Sequence, residues 1–310
     1  MVSTILLFLI SCIFLVLSGG WLVKLLVKIA AHLRLGKFVV GFILMAFATS
    51  IPELFVGINS ALAENPSLSL GNVIGSNIVT LSLVMGIATL LGGGIKVKST
   101  NIKTDCTMML IISSIPICLM LFDQDLSRFD GLILVSIFLF YIIHLIKERR
   151  RKTPFEKYER KHFIINIFLF ILSVGILFFS AHFVVEYGTQ LAIELHLPEI
   201  MIGLFFVAIG TSLPELVFEI RAVLARKADL ALGDAMGSVV CNSTLVLGVT
   251  ALLCPITDGF LIFITSAMFM VFVAFLFTML IRRKSCLTVQ DAIILIFLYV
   301  FFIFFEFSFQ

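Results

Sequence analysis

The chain has 310 residues, of which 61% are hydrophobic and 13% charged, with a mean hydropathy of +1.18 and a formal net charge of +3. Soluble domains carry roughly 25% charged residues, so there is too little polar surface here to cover a water-exposed body of this size. A soluble enzyme, a disordered chain and a nucleic-acid binder are set aside; the composition is that of an integral membrane protein.

A spanning helix needs about 20 mostly apolar residues. Apolar runs bounded by charge or turn residues predict ten spans, near 3–31, 38–63, 70–92, 106–122, 131–146, 163–185, 198–224, 231–253, 259–281 and 288–308. The first run lacks the basic flank of a secretory signal, although Leu9-Ile10-Ser11-Cys12 resembles a lipoprotein cleavage box. It is read as a retained span. Phe is abundant at 33 while Trp and Tyr number 1 and 4, which makes a thin interfacial aromatic belt. The six cysteines (Cys12, Cys106, Cys118, Cys241, Cys254 and Cys286) show no paired spacing. They read as buried small hydrophobes that imply neither a disulfide framework nor a metal site.

Loop charge sets the expected orientation. Assigned alternately to two sides, the loops place Arg34, Lys37, Lys96, Lys98, Lys103, the run from Lys147 to Lys161, Arg226, Lys227 and Arg282 to Lys284 together. The opposite side receives Arg128 alone, among acids such as Glu64, Asp123, Asp125, Glu194, Glu199 and Asp258. By the positive-inside rule both termini lie outside and the basic 147–162 linker lies in the cytoplasm of a cell whose inner (plasma) membrane holds the chain. The linker is read as a topology anchor rather than a regulatory element.

The chain repeats itself. GFILMAFATSIPEL (41–54) matches GLFFVAIGTSLPEL (203–216), and LGNVIGS (70–76) matches LGDAMGS (232–238), at a constant offset of 162 positions. The register needs no gap from Ser18/Ser180 to Leu91/Leu253. The expected organisation is a first five-helix repeat over 1–146, the linker 147–162, and a second repeat over 163–310. Five is odd, so the second half must enter the membrane from the opposite side. The predicted fold is therefore an all-α polytopic membrane protein of ten transmembrane helices in two inverted five-helix repeats. In transporters of this architecture the substrate sits near the midplane, on helices interrupted at corresponding positions.

Each half places T-S-x-P-E inside an apolar run: Thr49-Ser50-Ile51-Pro52-Glu53 and Thr211-Ser212-Leu213-Pro214-Glu215. A carboxylate at the centre of a membrane helix costs at least about 2.5–3.5 kcal/mol on insertion scales, so a matched pair argues for a function. Proline frees the carbonyl four residues back, at Ala48 and Gly210. Freed carbonyls, hydroxyls and carboxylates are hard oxygen ligands suited to Na⁺ and Ca²⁺. The motifs hold no His or Cys, which counts against zinc or copper. The next span in each half carries G-x-x-x-G-S, ending at Ser76 and Ser238, with Thr80 and Asn242 one turn further. The candidate site is Ser50, Glu53, Ser76 and Thr80 facing Ser212, Glu215, Ser238 and Asn242. Glu219, whose repeat partner is Gly57, is read as a vestibule charge partnered by Arg221 or Arg226, with a direct ligand role as the alternative. Asp234, paired with Asn72, is read as a helix cap or an inter-helix contact.

At these residues the sequence resembles the cation/calcium antiporter superfamily, and most closely the prokaryotic sodium/calcium exchangers. TSIPE with GNVIGSN, and TSLPE with GDAMGS, look like that family's two alpha-repeats. The resemblance implies a four-helix core holding one Ca²⁺ or several Na⁺, across which the first and sixth helices slide to alternate access. It implies Glu53 and Glu215 as shared carboxylates and Ser50, Ser76, Ser212 and Ser238 as hydroxyl ligands. It adds Thr49, Thr211 and the carbonyls of Ala46 and Ala208 as ion-lining positions. The sequence departs from the family pattern at Thr80 and Asn242, where the exchangers usually carry Asn and Asp. With that third acid gone, a coupling ratio below three Na⁺ per Ca²⁺ is expected.

Two ionised carboxylates are cancelled by one Ca²⁺ or two Na⁺, and an empty site leaves a charge that is costly to occlude. The expected activity is secondary antiport of Ca²⁺ against Na⁺. Proton-coupled exchange of a divalent cation on the same fold is the alternative, and an intramembrane hydrolase using paired acids is a distant one. No enzyme activity and no cofactor are expected; the partners are the transported cations and the lipid bilayer, with no nucleic acid and no obligatory protein.

Overall fold

In the computed structural model, residues 2–33, 37–64, 66–96, 101–149, 160–194, 212–257 and 260–309 are described. The elements are α1 (Val2–Leu33), α2 (Lys37–Val40), a π-helical turn (Gly41–Met45), α3 (Ala46–Thr49), α4 (Ile51–Leu62) and α5 (Ser67–Val79). A second π turn (Thr80–Val84) leads to α6 (Met85–Leu91), β1 (Ile95–Lys96), α7 (Ile102–Asp123) and α8 (Arg128–Arg149). The remainder comprises α9 (Arg160–Glu194), α10 (Leu213–Leu224), α11 (Ala228–Cys241), a third π turn (Asn242–Val246), α12 (Leu247–Leu253), α13 (Phe260–Lys284), β2 (Cys286–Leu287) and α14 (Val289–Phe309).

Seven of the described helical stretches are long and apolar enough to cross a membrane, and an eighth span is the pair Lys37–Thr49 and Ile51–Leu62, bent by 42°. The apolar part of α14, Val289–Phe304, is a shorter apolar helix. The predicted span 198–224 is described only from Ser212 onward, as α10. Large hydrophobics such as Phe140, Phe297 and Phe304 are exposed on the outside, while Thr49, Ser50, Glu53, Ser212 and Glu215 are buried. That inside-out distribution suits lipid as the solvent, where polar groups must be satisfied within the protein. Among the described cysteines Cys106 and Cys241 are buried as expected, but Cys118 is exposed on the outward face.

The helix boundaries obey the sequence repeat. Helices α4 and α10, the second and third π turns, and α6 and α12 all begin and end at an offset of 162. Each of those π turns holds the same side-chain bond. The hydroxyl of Ser82 bonds back to the carbonyl of Ile78, and that of Thr244 to Val240 at 2.5 Å. Such back-bonding competes with the backbone ladder.

The halves are joined reciprocally. Ile95 pairs with Leu287 in the β1–β2 ladder, and Leu126 pairs with Ile256 through bonds of 2.9 and 3.0 Å. Leu126 and Ile256 are the repeat counterparts of Leu287 and Ile95, displaced by 161. The helix starts that follow are capped alike, by Ser127 with Asp130 and by Thr288 with Asp291. Helix α6 packs on α14, and α12 packs on α8. Glycines allow both approaches: a Cβ at Gly86 would lie 2.7 Å from Ile296, and one at Gly248 would lie 2.8 Å from Val135. A two-fold relation between the halves produces such swapped pairs. Outside this core, α1 lies along α9, with His32 stacked on Phe163 at 4.0 Å, and both touch the core at α10.

Candidate functional site

Proline decides where the two acids sit. Helix α3 stops at Thr49, Ser50 adopts φ −82° and ψ 1°, and α4 starts again with Pro52 in its first turn. Ser212 (φ −94°, ψ 7°) and Pro214 do the same ahead of α10. A proline in the first turn loses no bond, because that N–H would be unpaired anyway. Glu53 and Glu215 fall in the first turns of the new helices, where the positive end of the helix dipole favours negative charge.

Helix α11 brings the second half against the first. It lies against α2, the first π turn and α3, and its small residues make that approach possible. A Cβ at Gly237 would come within 2.5 Å of the Phe42 carbonyl and 2.6 Å of Ala46 Cβ; one at Gly233 would collide with the Phe38 carbonyl. With the backbones this close, the Thr49 hydroxyl donates to Asp234 Oδ1 at 3.2 Å and lies 3.2 Å from Ser238 Oγ. On the other side Ser76 donates to Glu53 Oε1 at 3.2 Å, and Asn242 Nδ2 donates to Ser76 at 3.4 Å and to Asn77 Oδ1 at 3.3 Å.

Thr49 with Ser238, and Glu53 through Ser76 with Asn242, are therefore brought together across the halves. Ser50, Thr49, Glu53, Ser76, Thr80, Ser212, Glu215, Ser238 and Asn242 are all buried, and Glu53 and Glu215 lie within electrostatic range of each other. Thr80 and Asn242 open the second and third π turns. The Ala46 carbonyl already accepts the N–H of Ser50 at 3.0 Å; the Thr49 oxygen lies 3.3 Å from it, but with its one proton given to Asp234 it leaves the second lone pair of that carbonyl open. Thr211 and Ala208 lie outside the described residues.

Polar atoms of this set are left open. Ser50 Oγ, Glu53 Oε2, Ser212 Oγ, Glu215 Oε2 and Asn242 Oδ1 are buried and have no hydrogen-bond partner among the described residues. Buried polar atoms are nearly always paired, so such a group calls for an explanation. These five are all oxygens, and they come from both halves. Among the described residues no three acidic, His or Cys side chains converge as a metal chelate. A cation here would be held by a carboxylate pair and neutral oxygens.

One reading from the sequence is corrected, and for a second residue one of its two alternatives is selected. Glu219 is not a vestibule charge: it is fully buried, and neither oxygen has a hydrogen-bond partner among the described residues, Arg221 and Arg226 included. A residue two positions along a helix points to another face, which is why Arg221 does not meet it. Asp234 is not a cap, because α11 starts at Ala228, well before it; it is an inter-helix acceptor for Thr49. One residue was missed. Asn77, fully buried, accepts from Asn242 and donates to Ser243 at 2.9 Å, tying α5 to the third π turn. Its repeat counterpart is Val239, so the repeat gave no signal for it.

The sequence model of the family described as "Sodium/calcium exchanger protein" matches residues 3–147 and 165–308. The chain is 29% identical over 258 residues to the inner membrane protein YrbG of Escherichia coli, covering 80% of this chain and 79% of that protein. It is 28% identical over 294 residues to the sodium/calcium exchanger MaX1 of Methanosarcina acetivorans, covering 81% and 83%. Its fold matches a solved structure of the sodium-calcium exchanger NCX_Mj with a TM-score of 0.86 at 24% identity, over 97% of this chain and 98% of that one.

Proposed function

The chain belongs to the sodium/calcium exchanger family, and from that premise we propose that it exchanges Ca²⁺ for Na⁺ at the Glu53–Glu215 site by alternating access. The observation that carries this reading is the set of five unpartnered buried oxygens contributed by both halves. A chain that buries them in protein with no internal partner is built to give them an external one, and hard oxygens favour Na⁺ and Ca²⁺.

The charge balance supports exchange over leak. Glu53 and Glu215 together hold two negative charges, which one Ca²⁺ or two Na⁺ neutralise. Crossing with the pair empty would place uncompensated carboxylates in a low-dielectric interior. The positive ends of α4 and α10 lower that cost without removing it. Ser50, Ser212, Ser76, Ser238, Thr49 and Asn242 would supply neutral oxygens around the ion, and the family resemblance assigns Thr80, the first residue of the second π turn, and Thr211 and the Ala208 carbonyl to the same role. The Ala46 carbonyl, which holds one bond from Ser50, would offer its second lone pair.

Alternation would come from α1 and α9. They pack on each other and reach the core chiefly through α10, so they can move as a unit without disturbing the reciprocal joints of the core. We place the chain in the inner membrane, as the name of its YrbG relative states for that protein, with both termini outside on the evidence of loop charge.

The test is ⁴⁵Ca²⁺ uptake into proteoliposomes under an imposed Na⁺ gradient or an imposed pH gradient. Uptake driven by outward Na⁺ at constant pH is the expected result. Uptake that follows the pH gradient and ignores Na⁺ would replace Na⁺ by H⁺ as the coupling ion.

A further inference from the structure

Asn77 lies outside the predicted ligand set, and its side chain is fully buried on α5. Its hydrogen-bonding capacity is spent in one direction. Nδ2 donates to Ser243 Oγ at 2.9 Å and to Met270 Sδ at 3.4 Å, and Oδ1 accepts from Asn242 Nδ2 at 3.3 Å. Asn242 Nδ2 gives its other proton to Ser76 Oγ at 3.4 Å, so both protons of each amide are used. The Asn242 oxygen is left over. Its Oδ1 is buried and has no hydrogen-bond partner among the described residues.

An amide can present either its oxygen or its nitrogen to a neighbour. The neighbours forbid the reverse arrangement here. A thioether sulfur accepts and has no proton to give, so Met270, on α13, must face the nitrogen of Asn77. That sets the Asn77 oxygen against Asn242, which must answer with its own nitrogen. Ser76 agrees from the other side, because it donates its only proton to Glu53 Oε1 and can only accept from Asn242. The halves differ where such an anchor is needed. The repeat counterparts of Asn242 and Asn77 are Thr80 and Val239. A hydroxyl carries donor and acceptor on one atom and rotates to suit its surroundings. Thr80 therefore has no end to choose, and Val239 has no polar group with which to choose it.

We propose that Asn77, anchored by Met270, is a positioning residue that turns the Asn242 amide so that its oxygen faces the transported cation. The reversed amide would set a donor against a cation and cost the site a ligand. Asn77 would touch no ion itself. Its effect on affinity runs wholly through Asn242, in the way that groups behind a metal ligand orient that ligand. The proposal rests on the exchange reading, since it needs a cation beside Glu53 and Asn242.

Equilibrium ⁴⁵Ca²⁺ binding to the purified protein without Na⁺ tests it through a double-mutant cycle. Asn77→Leu keeps the bulk of the side chain and removes its acceptor, and Asn242→Ala removes the amide that it orients. Each single change should weaken Ca²⁺ binding about tenfold or more, and the double variant should bind no more weakly than Asn242→Ala. Met270→Leu conserves volume and should cause a smaller loss, which should also vanish in the Asn242→Ala background. Losses that multiply in the double variant would mark Asn77 as a packing residue and overturn the proposal. Wild-type affinity in Asn77→Leu or in Asn242→Ala overturns it too. If Asn77→Leu does not fold, the cycle of Met270→Leu with Asn242→Ala decides alone. A wild-type protein that binds no Ca²⁺ sinks the exchange reading instead, and the same cycle followed with ²²Na⁺ then decides the role of Asn77.

Discussion

The hydroxyl of Thr49 lies 3.2 Å from that of Ser238, although the two residues belong to different halves of the chain. The same hydroxyl donates to Asp234, so one small side chain touches the predicted site and the neighbouring acid at once. Thr49→Val keeps the shape and removes the contact. It should destabilise the protein by about 1–3 kcal/mol, because Asp234 loses its donor in a buried setting, and it should weaken Na⁺ and Ca²⁺ binding together. Thr49→Ser should restore both. Thermal unfolding in detergent and ⁴⁵Ca²⁺ binding check it; a fully active, equally stable Thr49→Val would remove Thr49 from the site.

The carboxylate pair gives the plainest test of the exchange reading. Glu53→Gln and Glu215→Gln preserve volume, the first can also keep the bond from Ser76 through its amide oxygen, and each removes one charge from the site. Exchange in proteoliposomes should fall to background in both, with elution profile and thermal stability retained. Wild-type flux in either variant would dissolve the site assignment.

Close helix packing can be probed without touching a ligand. Gly237→Leu must push against the Phe42 carbonyl and Ala46, the contact that lets α11 reach α3. Overpacking of this kind costs about 1–3 kcal/mol, so the melting temperature should drop and Ca²⁺ affinity should fall with it. Gly20→Ala, with nothing within 4 Å of the added Cβ, should leave both unchanged or raise stability slightly through helix propensity. Equal behaviour of the two variants would show that the α11 contact is not tight in solution.

The joint between the halves can be locked. Lys96 faces Cys286 in the β1–β2 ladder, and paired residues on antiparallel strands stand about 4.5–5.5 Å apart at Cα, within disulfide range. In Lys96→Cys, mild oxidation should join the halves, so that cleavage in the 147–162 linker no longer separates them on a gel. If α1 and α9 are the moving parts, the cross-linked protein should still exchange ions. A cross-linked protein without flux would mean that this joint opens during transport.

Much of the architecture could be read from residues alone, because the repeat keeps its register. The positions of Pro52 and Pro214 dictate the helix restarts, and these set Glu53 and Glu215 in corresponding first turns. What the repeat could not show lies where the halves differ. Glu219 was placed beside Arg221 and Arg226 by proximity in sequence, but its spacing of four from Glu215 puts it on the acid's own helix face. Asp234 seemed to stand near a helix start only because Ala228 had not been identified as the first residue of α11. The reciprocal pairing of Ile95 with Leu287 and Leu126 with Ile256 depends on contacts over more than a hundred residues, and no local pattern encodes it.

That reciprocal pairing also constrains biogenesis. Among the described residues helix α6 packs chiefly on α14 and α10, and α8 on α12, all of them elements of the second half. A nascent chain that has released 1–149 into the bilayer therefore holds glycine-lined faces open until nearly the whole polypeptide has left the ribosome. The first half should be a ward of the insertion machinery rather than a finished domain. Expressed on its own, it should be degraded or captured by a co-expressed second half, making this transporter a protein that can be assembled from two fragments but not matured one fragment at a time.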